Sequence, residues 1–69
     1  MRLIVKYRGQ NKVLEFDKDK VKAGDILKAL NLSKDFAFVV RNGEIVQENE
    51  EITQNDEIRV VNAISGGIF

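Results

Sequence analysis

The clearest structural signal in the sequence is residues 36–46, FAFVVRNGEIV. The run Phe36–Arg41 is rich in aromatic and β-branched residues and is apolar on both faces, which is typical of a β-strand. Asn42-Gly43 follows at once, and this pair between two such runs is the strongest short-range indication of a hairpin turn. We therefore predict a β-hairpin in which Glu44-Ile45-Val46 pairs back along Phe36–Arg41.

A second hairpin is predicted at the start of the chain. Arg2–Tyr7 alternates between apolar and polar residues, and Lys12–Phe16 has the composition of a returning strand. The intervening residues 8–11 are expected to form the turn, because Gly9 and Asn11 tolerate positive φ. The chain therefore opens with two antiparallel strands.

Alternation places Leu3, Val5 and Tyr7 on one face of the first strand and Ile4 on the other. Two interpretations of Ile4 remain open at this point. It is either an incidental exposed apolar residue or part of a docking surface.

Between the hairpins the apolar period changes to that of a helix, with residues at i, i+3, i+4 and i+7: Ala23, Ile26, Leu27 and Leu30. The helix start is ambiguous. Asp25 could cap a helix that begins at Ile26, but Val21 and Ala23 extend the apolar stripe and favour an earlier start with Gly24 inside. Asn31 is the predicted stop, since it tolerates the left-handed conformation.

The remaining elements complete an α+β fold of order β-β-α-β-β-β. Ile52 is expected to fill the core beneath the acidic loop Glu48–Glu51, and Glu57–Ala63 is the last strand. We expect the last strand to lie in the middle of a mixed sheet, beside the first strand and parallel to it. The helix would then cover one face of the sheet and leave the other open to water.

Composition excludes most catalytic chemistry. The 69 residues include no cysteine and no histidine, so disulfides, thiol nucleophiles and imidazole bases are ruled out. Eleven basic and eleven acidic residues balance, which argues against nucleic-acid binding. We see no long apolar run and no signal peptide. We expect a cytoplasmic monomer that needs no membrane, metal or cofactor and is not itself an enzyme.

The C-terminal residues, Ala63-Ile64-Ser65-Gly66-Gly67-Ile68-Phe69, contain the sole adjacent glycine pair of the sequence. We expect a single domain, residues 1–63, followed by a flexible tail, residues 64–69. If extended, Ala63 to Gly67 spans roughly 16 Å, at about 3.3 Å per residue. Ser65 and Gly66 could thread a narrow channel in a partner and present the Gly67 carbonyl for activation, while the folded body docks outside.

The sequence resembles the ThiS/MoaD family of ubiquitin-like sulfur carriers and the small archaeal ubiquitin-like modifiers akin to them. The resemblance rests on five stretches in order: Leu3-Ile4-Val5, Asp25–Leu30, Val39–Val46, Asn55–Ile58 and Ala63–Gly67. In the fourth stretch, this chain has Asn-Asp-Glu where the family often has Asp-Gly-Asp. The resemblance covers nearly the whole chain and implies the β-grasp, or ubiquitin-like, strand order.

The resemblance also implies a function. Gly67 would be adenylated by an E1-like enzyme of the ThiF/MoeB type and converted to a thiocarboxylate, which donates sulfur in thiamine, molybdopterin or tRNA thiolation pathways. In archaeal relatives the same terminus can be joined to lysines of target proteins. The open sheet face would be the docking surface, with Ile4, Phe38 and Val61 as candidates within the wider stretches 36–40 and 60–63.

One departure from the family pattern concerns Ile68 and Phe69, which follow the glycine pair. The Gly67 carbonyl is therefore part of an amide in the encoded chain. Either a protease cleaves between Gly67 and Ile68, or Gly67 is not activated; activation of Phe69 is disfavoured because a bulky residue would not pass a channel shaped for glycine. Three functions follow as alternatives: a sulfur carrier, a protein modifier, or a binding domain with an inert tail.

Overall fold

The computed structural model describes residues 1–62 of the chain. Its elements in chain order are β1 Arg2–Tyr7, β2 Gln10–Glu15, β3 Val21–Lys22, α1 Ala23–Ala29, β4 Ala37–Arg41, β5 Glu44–Val46, β6 Glu51–Ile52 and β7 Ile58–Asn62. The predicted domain boundary after residue 63 and the predicted tail, residues 64–69, lie outside the described residues.

Five of these strands form a mixed sheet of order β2-β1-β7-β4-β5. Both predicted hairpins are present, because β1 pairs antiparallel with β2 and β4 pairs antiparallel with β5. The last strand, β7, lies between them, parallel to β1 and antiparallel to β4. The predicted α+β architecture, with the last strand central and parallel to the first, is confirmed.

The turn of the first hairpin differs from the prediction. Arg8 and Gly9 have φ values of 52° and 77°, and Tyr7 pairs directly with Gln10. The turn is thus two residues long, with positive φ at both central residues, and Arg8 rather than Asn11 takes the second positive φ beside Gly9. The prediction was wrong because such a turn matches the right-handed twist of the two strands, and this tertiary preference overrides the low left-handed propensity of arginine.

The Asn42-Gly43 turn is also hydrogen-bonded to the residues that precede the central strand, β7. Asn42 and Gly43 have φ values of 53° and 88°. The Asn42 side chain accepts a hydrogen bond from the Glu57 backbone N–H at 2.8 Å and donates one to Asp56 Oδ1 at 3.0 Å. Asp56 Oδ2 in turn accepts a hydrogen bond from the Thr53 N–H at 2.9 Å. These bonds connect the β4–β5 turn to the residues that lead into β7.

The helix begins early, as the apolar stripe favoured. It starts at Ala23, contains Gly24, and has Asp25 as its third residue. Asp25 Oδ2 accepts a hydrogen bond from the Lys22 backbone N–H at 2.9 Å and pairs with Lys18 Nζ at 2.9 Å. Asp25 therefore stabilises the helix start from within the first turn, and a helix beginning at Ile26 is excluded.

The helix ends where the sequence predicted. Leu30 closes the last turn, and Asn31 has a φ of 60°, in the left-handed region. The Leu32 N–H then donates to the Leu27 carbonyl oxygen at 2.8 Å, which satisfies one of the free carbonyls at the helix end.

The core lies between α1 and one face of the sheet. Its buried residues are all apolar: Leu3, Val5, Val21, Ala23, Ile26, Leu27, Ala37, Val39, Val46, Ile52, Ile58 and Val60. Ile52 is 2% exposed, so its predicted role in the core is confirmed. It lies on β6, which pairs with β3 as a small second sheet that the sequence did not predict.

Candidate functional site

The side of the five-stranded sheet that faces away from α1 is the candidate functional surface, and we call it the open face. Alternation along the strands and the register between them identify its members. They are Ile4, Lys6, Val13, Phe38, Val40, Ile45, Arg59 and Val61, with Arg2, Asn11 and Glu15 toward the β2 edge.

The apolar residues of the open face form two groups. The first patch is Ile4 and Val13, which pair directly across β1 and β2 and are 62% and 58% exposed. The second patch comprises residues of β4, β5 and β7: Phe38, Val40, Ile45 and Val61. Single exposed apolar residues are common on protein surfaces, but these are cross-strand neighbours, and contiguous apolar area is typical of interaction sites.

The structure places the three predicted docking residues on this face. Phe38 and Val61 lie directly opposite each other on β4 and β7, and both are half-buried. Ile4 lies in the first patch, two strands away from Phe38. The structure therefore brings Phe38 and Val61 together and separates them from Ile4.

Some residues of the wider predicted stretches point the other way. Ala37, Val39 and Val60 are each at most 3% exposed and belong to the core. They cannot contact a docked partner, so only part of each of the stretches 36–40 and 60–63 remains a docking candidate. The period of two along each strand explains this division, because every second residue of the strand is turned toward the core.

Sequence reasoning missed Val13 and Ile45, whereas Val40 lies within the stretch 36–40 that it marked. Val13 could have been found from the register of the first hairpin, because a two-residue turn at Arg8-Gly9 places it opposite Ile4. Ile45 could have been found in the same way, since the Asn42-Gly43 turn places it opposite Val40. In both hairpins the signal was the turn length, which fixes the register and hence the face.

Charged residues separate the two patches. Lys6 on β1 and Arg59 on β7 are register partners, and Arg59 also pairs with Val40 on β4. At the edge of the face, Arg2 Nη2 contacts Glu15 Oε1 at 2.6 Å, with both side chains well exposed. An ion pair so exposed to water contributes little to stability.

The helix side of the sheet carries a groove of about 310 Å³ between α1 and the β4–β5 hairpin. Its apolar lining includes Leu27, Val39 and Val46, and the Lys34–Glu48 ion pair at 3.2 Å lies at its border. The volume of the groove is at the lower end of the range of ligand sites, and its polar lining residues are Lys34, Gln47 and Glu48.

Within residues 1–62 two carboxylates, Asp25 and Asp56, have shifted pKa values. No buried side chain there is polar or charged, and no group of three or more potential metal ligands occurs. The pKa of Asp25 is lowered, mainly by the hydrogen bond from the Lys22 N–H and then by Lys18. The pKa of Asp56 is lowered mainly by the hydrogen bond from the Thr53 N–H. Both carboxylates thus serve as structural acceptors.

The residues predicted to be activated, threaded or cleaved lie outside the described part of the chain: Ser65, Gly66, Gly67 and Ile68. The described chain leads to them through β7, which ends at Asn62 opposite Ala37. The Tyr7 hydroxyl lies 3.3 Å from Asn62 Oδ1, to which it donates a hydrogen bond. Residue 63 therefore follows directly from the strand that carries Arg59 and Val61 on the open face.

No helix in residues 1–62 is long and apolar enough to cross a membrane.

Comparison with known proteins supports both the fold and the family. The model of the ThiS family matches residues 2–67. SAMP1 from Haloferax volcanii is similar in structure, with a TM-score of 0.70, 21% sequence identity, and coverage of 97% of this chain and 100% of that chain. The thiamine biosynthesis protein ThiS from Geobacter metallireducens gives a TM-score of 0.61 and 16% identity over 94% of this chain and 100% of that chain. These likenesses confirm the predicted ubiquitin-like β-grasp fold.

Proposed function

This chain belongs to the ThiS family, and we propose that it is a sulfur carrier that is activated at Gly67 after Ile68 and Phe69 have been removed. The observation that carries the proposal is the extent of the family match, which runs through both glycines and stops at Gly67. Ile68 and Phe69, the two residues that depart from the family pattern, are the two that the match leaves out after Gly67.

The chemistry requires a free carboxylate at Gly67. A protease first hydrolyses the Gly67–Ile68 amide. An oxygen of the new carboxylate then attacks the α-phosphorus of ATP on an E1-like enzyme, and pyrophosphate leaves. A persulfide of a partner enzyme attacks the resulting acyl adenylate at the Gly67 carbonyl carbon, and AMP leaves. A second thiol of the partner then attacks the acyl disulfide at the enzyme-bound sulfur, so that a disulfide forms on the partner and the Gly67 thiocarboxylate leaves. This chain supplies the acyl group, and the partners supply every catalytic residue.

The described residues contribute recognition. In the proposal, the folded body, residues 1–63, docks through the open face while residues 64–69 form the tail that enters the enzyme. Val61 and Gly67 are six residues apart, so an extended chain would place Gly67 at most about 20 Å beyond the docked Val61. Docking close to the exit of the tail limits the volume that Gly67 can sample, which raises its effective concentration at the enzyme.

The test uses the chain ending at Gly67, incubated with an adenylating enzyme of the ThiF/MoeB type, ATP and a sulfur source. We expect the intact mass of the chain to increase by the difference between sulfur and oxygen. The chain ending at Phe69 is the matched control and should keep its mass. If the chain ending at Gly67 also keeps its mass with its cognate enzyme, the proposed function is wrong.

A second candidate function is a protein modifier. The same acyl adenylate can be attacked by a lysine amine, which would join Gly67 to a target protein through an isopeptide bond. The Gly66-Gly67 pair serves this reaction equally well, and the fold that the chain shares with SAMP1 is compatible with it. Peptides carrying a Gly67 remnant on lysine in digests of native cell extracts would support this function, and free carrier alone would count against it.

A further inference from the structure

Lys6 and Arg59 form an unusual pair at the centre of the open face. They are register partners on the adjacent parallel strands β1 and β7, and both side chains are exposed. Like charges placed directly opposite each other on neighbouring strands destabilise a sheet. The chain therefore carries an electrostatic cost at this position that a neutral side chain would avoid.

The described residues offer no acidic partner to this pair. The ion pairs within residues 1–62 are Arg2–Glu15, Lys18–Asp25, Lys34–Glu48 and Arg41–Glu50. None of them includes Lys6 or Arg59. Glu15, at the edge of the open face, is engaged by Arg2, and Glu57, which directly precedes β7, forms no ion pair within residues 1–62.

The position of the pair relative to the apolar patches gives it a consequence for binding. The first patch, Ile4 and Val13, lies on β1 and β2, and the second patch lies on β4, β5 and β7. A partner that contacts both patches must also cover Lys6 and Arg59. Covering two cations without an opposite charge is strongly unfavourable, so the partner surface must supply carboxylates at this point.

We propose that the open face binds a protein surface that places one or more Asp or Glu side chains against Lys6 and Arg59, between two apolar contacts. This inference rests on the proposed function, which makes the adenylating enzyme the partner. The repulsion between the two cations is relieved when carboxylates approach, so the same charges that disfavour the free domain favour the complex. Complementary charge of this kind sets specificity and association rate more than it adds affinity.

The first test needs no partner. Lys6→Glu replaces the repulsion with an attraction between β1 and β7. We expect the Tm of the free chain to rise by about 2–8 °C at low salt, given the size of cross-strand charge effects in a small domain. Lys12→Glu is the matched control, because Lys12 makes the same charge change on β2 but on the other side of the sheet, and its Tm should not rise. Equal Tm shifts in Lys6→Glu and Lys12→Glu would show that Lys6 and Arg59 do not repel each other measurably, and the inference would lose its premise.

The second test measures binding of the chain ending at Gly67 to a ThiF/MoeB-type enzyme by titration calorimetry without ATP, and then its activation. Lys6→Glu should weaken binding at least tenfold and raise KM by the same factor with kcat unchanged. Lys6→Arg and Lys12→Glu should behave like the wild type. Salt should weaken wild-type binding more than it weakens binding of the Lys6→Glu variant.

These outcomes separate the inference from the proposed function. Binding that depends on Lys6, without adenylation, would support the inference and contradict the proposed function. Sulfur transfer with the same KM for Lys6→Glu and Lys12→Glu would overturn the inference and leave the proposed function intact. The absence of both binding and transfer would contradict the two together.

Discussion

The two sides of the central sheet are built by the same strands but are under different physical constraints. Val5 is fully buried, whereas Ile4, its neighbour in the chain, is 62% exposed. The core side is aliphatic where it packs on α1, and its residues determine whether the chain folds. The open side combines two apolar patches with the cations Lys6 and Arg59, and nothing in the packing of residues 1–62 requires that combination.

Neighbouring residues of each strand therefore have different roles: one packs in the core and stabilises the fold, and the next lies on the open face and is available to a partner. A domain of this size rarely has more than ~3–5 kcal/mol of stability from its core, so the core side tolerates little change. Surface substitutions away from special features usually change stability by no more than about 0.5 kcal/mol. Substitutions on the open face should therefore affect partners and leave the fold intact.

The largest expected effect on stability comes from placing an aspartate on the core side of the sheet instead of the open side. Val5→Asp buries a carboxylate without a partner, at a cost that exceeds the whole stability expected of such a domain. We expect this variant to be unfolded at pH 7 by circular dichroism and by loss of amide dispersion in NMR. Ile4→Asp, one residue away, should keep the wild-type spectrum. A folded Val5→Asp variant would contradict the assignment of the two sides.

A smaller effect on stability is expected when two adjacent valines of β4 are each replaced by alanine. Val39 is 1% exposed and Val40 is half-buried on the open face. Val39→Ala should cost about 1.5–3 kcal/mol, from lost burial plus a residual cavity, and Val40→Ala should cost less than about 1 kcal/mol. Urea denaturation at constant m-value measures both. If the order is reversed, Val40 belongs to the core and the open face is smaller than described.

Binding to the partner, unlike stability, should depend on the residues of the open face. Ile4→Asp and Ile45→Asp each place a carboxylate in one of the two apolar patches, so each should weaken binding to the adenylating enzyme by about tenfold or more. Gln10→Asp is a suitable control, because Gln10 is an exposed residue of β2 on the other side of the sheet. If only one of the two patch variants loses affinity, the partner covers only that patch.

The smallest expected effect is a change in the stability of the fold with pH. The pKa values of Asp25 and Asp56 are lowered in the folded chain, so each contributes stability that is present above the unfolded pKa of about 3.9. That stability is lost as the pH falls through the folded pKa. Because both residues are only partly buried and water screens their charges, we expect each to contribute less than about 1 kcal/mol.

Thermal unfolding between pH 7 and pH 3 measures this contribution. The Asp25→Asn and Asp56→Asn variants should be less stable than the wild type at pH 7, and the difference should shrink below pH 4. Ile4→Asp adds an exposed acid on the open face, where it should ionise without stabilising the fold, so it should leave the contribution of Asp25 and Asp56 in place. A constant difference at every pH would show that the loss comes from packing and not from ionisation.

Local signals in the sequence were sufficient for most of the fold. Asn42-Gly43 correctly predicted the β4–β5 hairpin, and the stripe from Ala23 to Leu30 predicted the helix and its packing side. The central position of β7 is set by contacts between residues far apart in the chain, and its prediction relied partly on the family resemblance. The positive φ of Arg8 had no signal in residue type, because strand twist imposed it.

The candidate site was less accessible to sequence reasoning. Ile4, Phe38 and Val61 were found by alternation, but Val13 and Ile45 required the register of their hairpins. The Lys6–Arg59 pair depends on the parallel register between β1 and β7, which no local pattern encodes. The roles of Ser65, Gly66, Gly67 and Ile68 lie beyond the described residues and stay predictions.

The intact mass of the protein purified from its native cells tests the central claim most directly, because it reports both the terminus and its chemistry. We predict a chain that ends at Gly67, part of which carries one sulfur in place of one oxygen at the terminal carboxyl group. A population that retains Ile68 and Phe69 throughout, with no sulfur gained, would contradict the account.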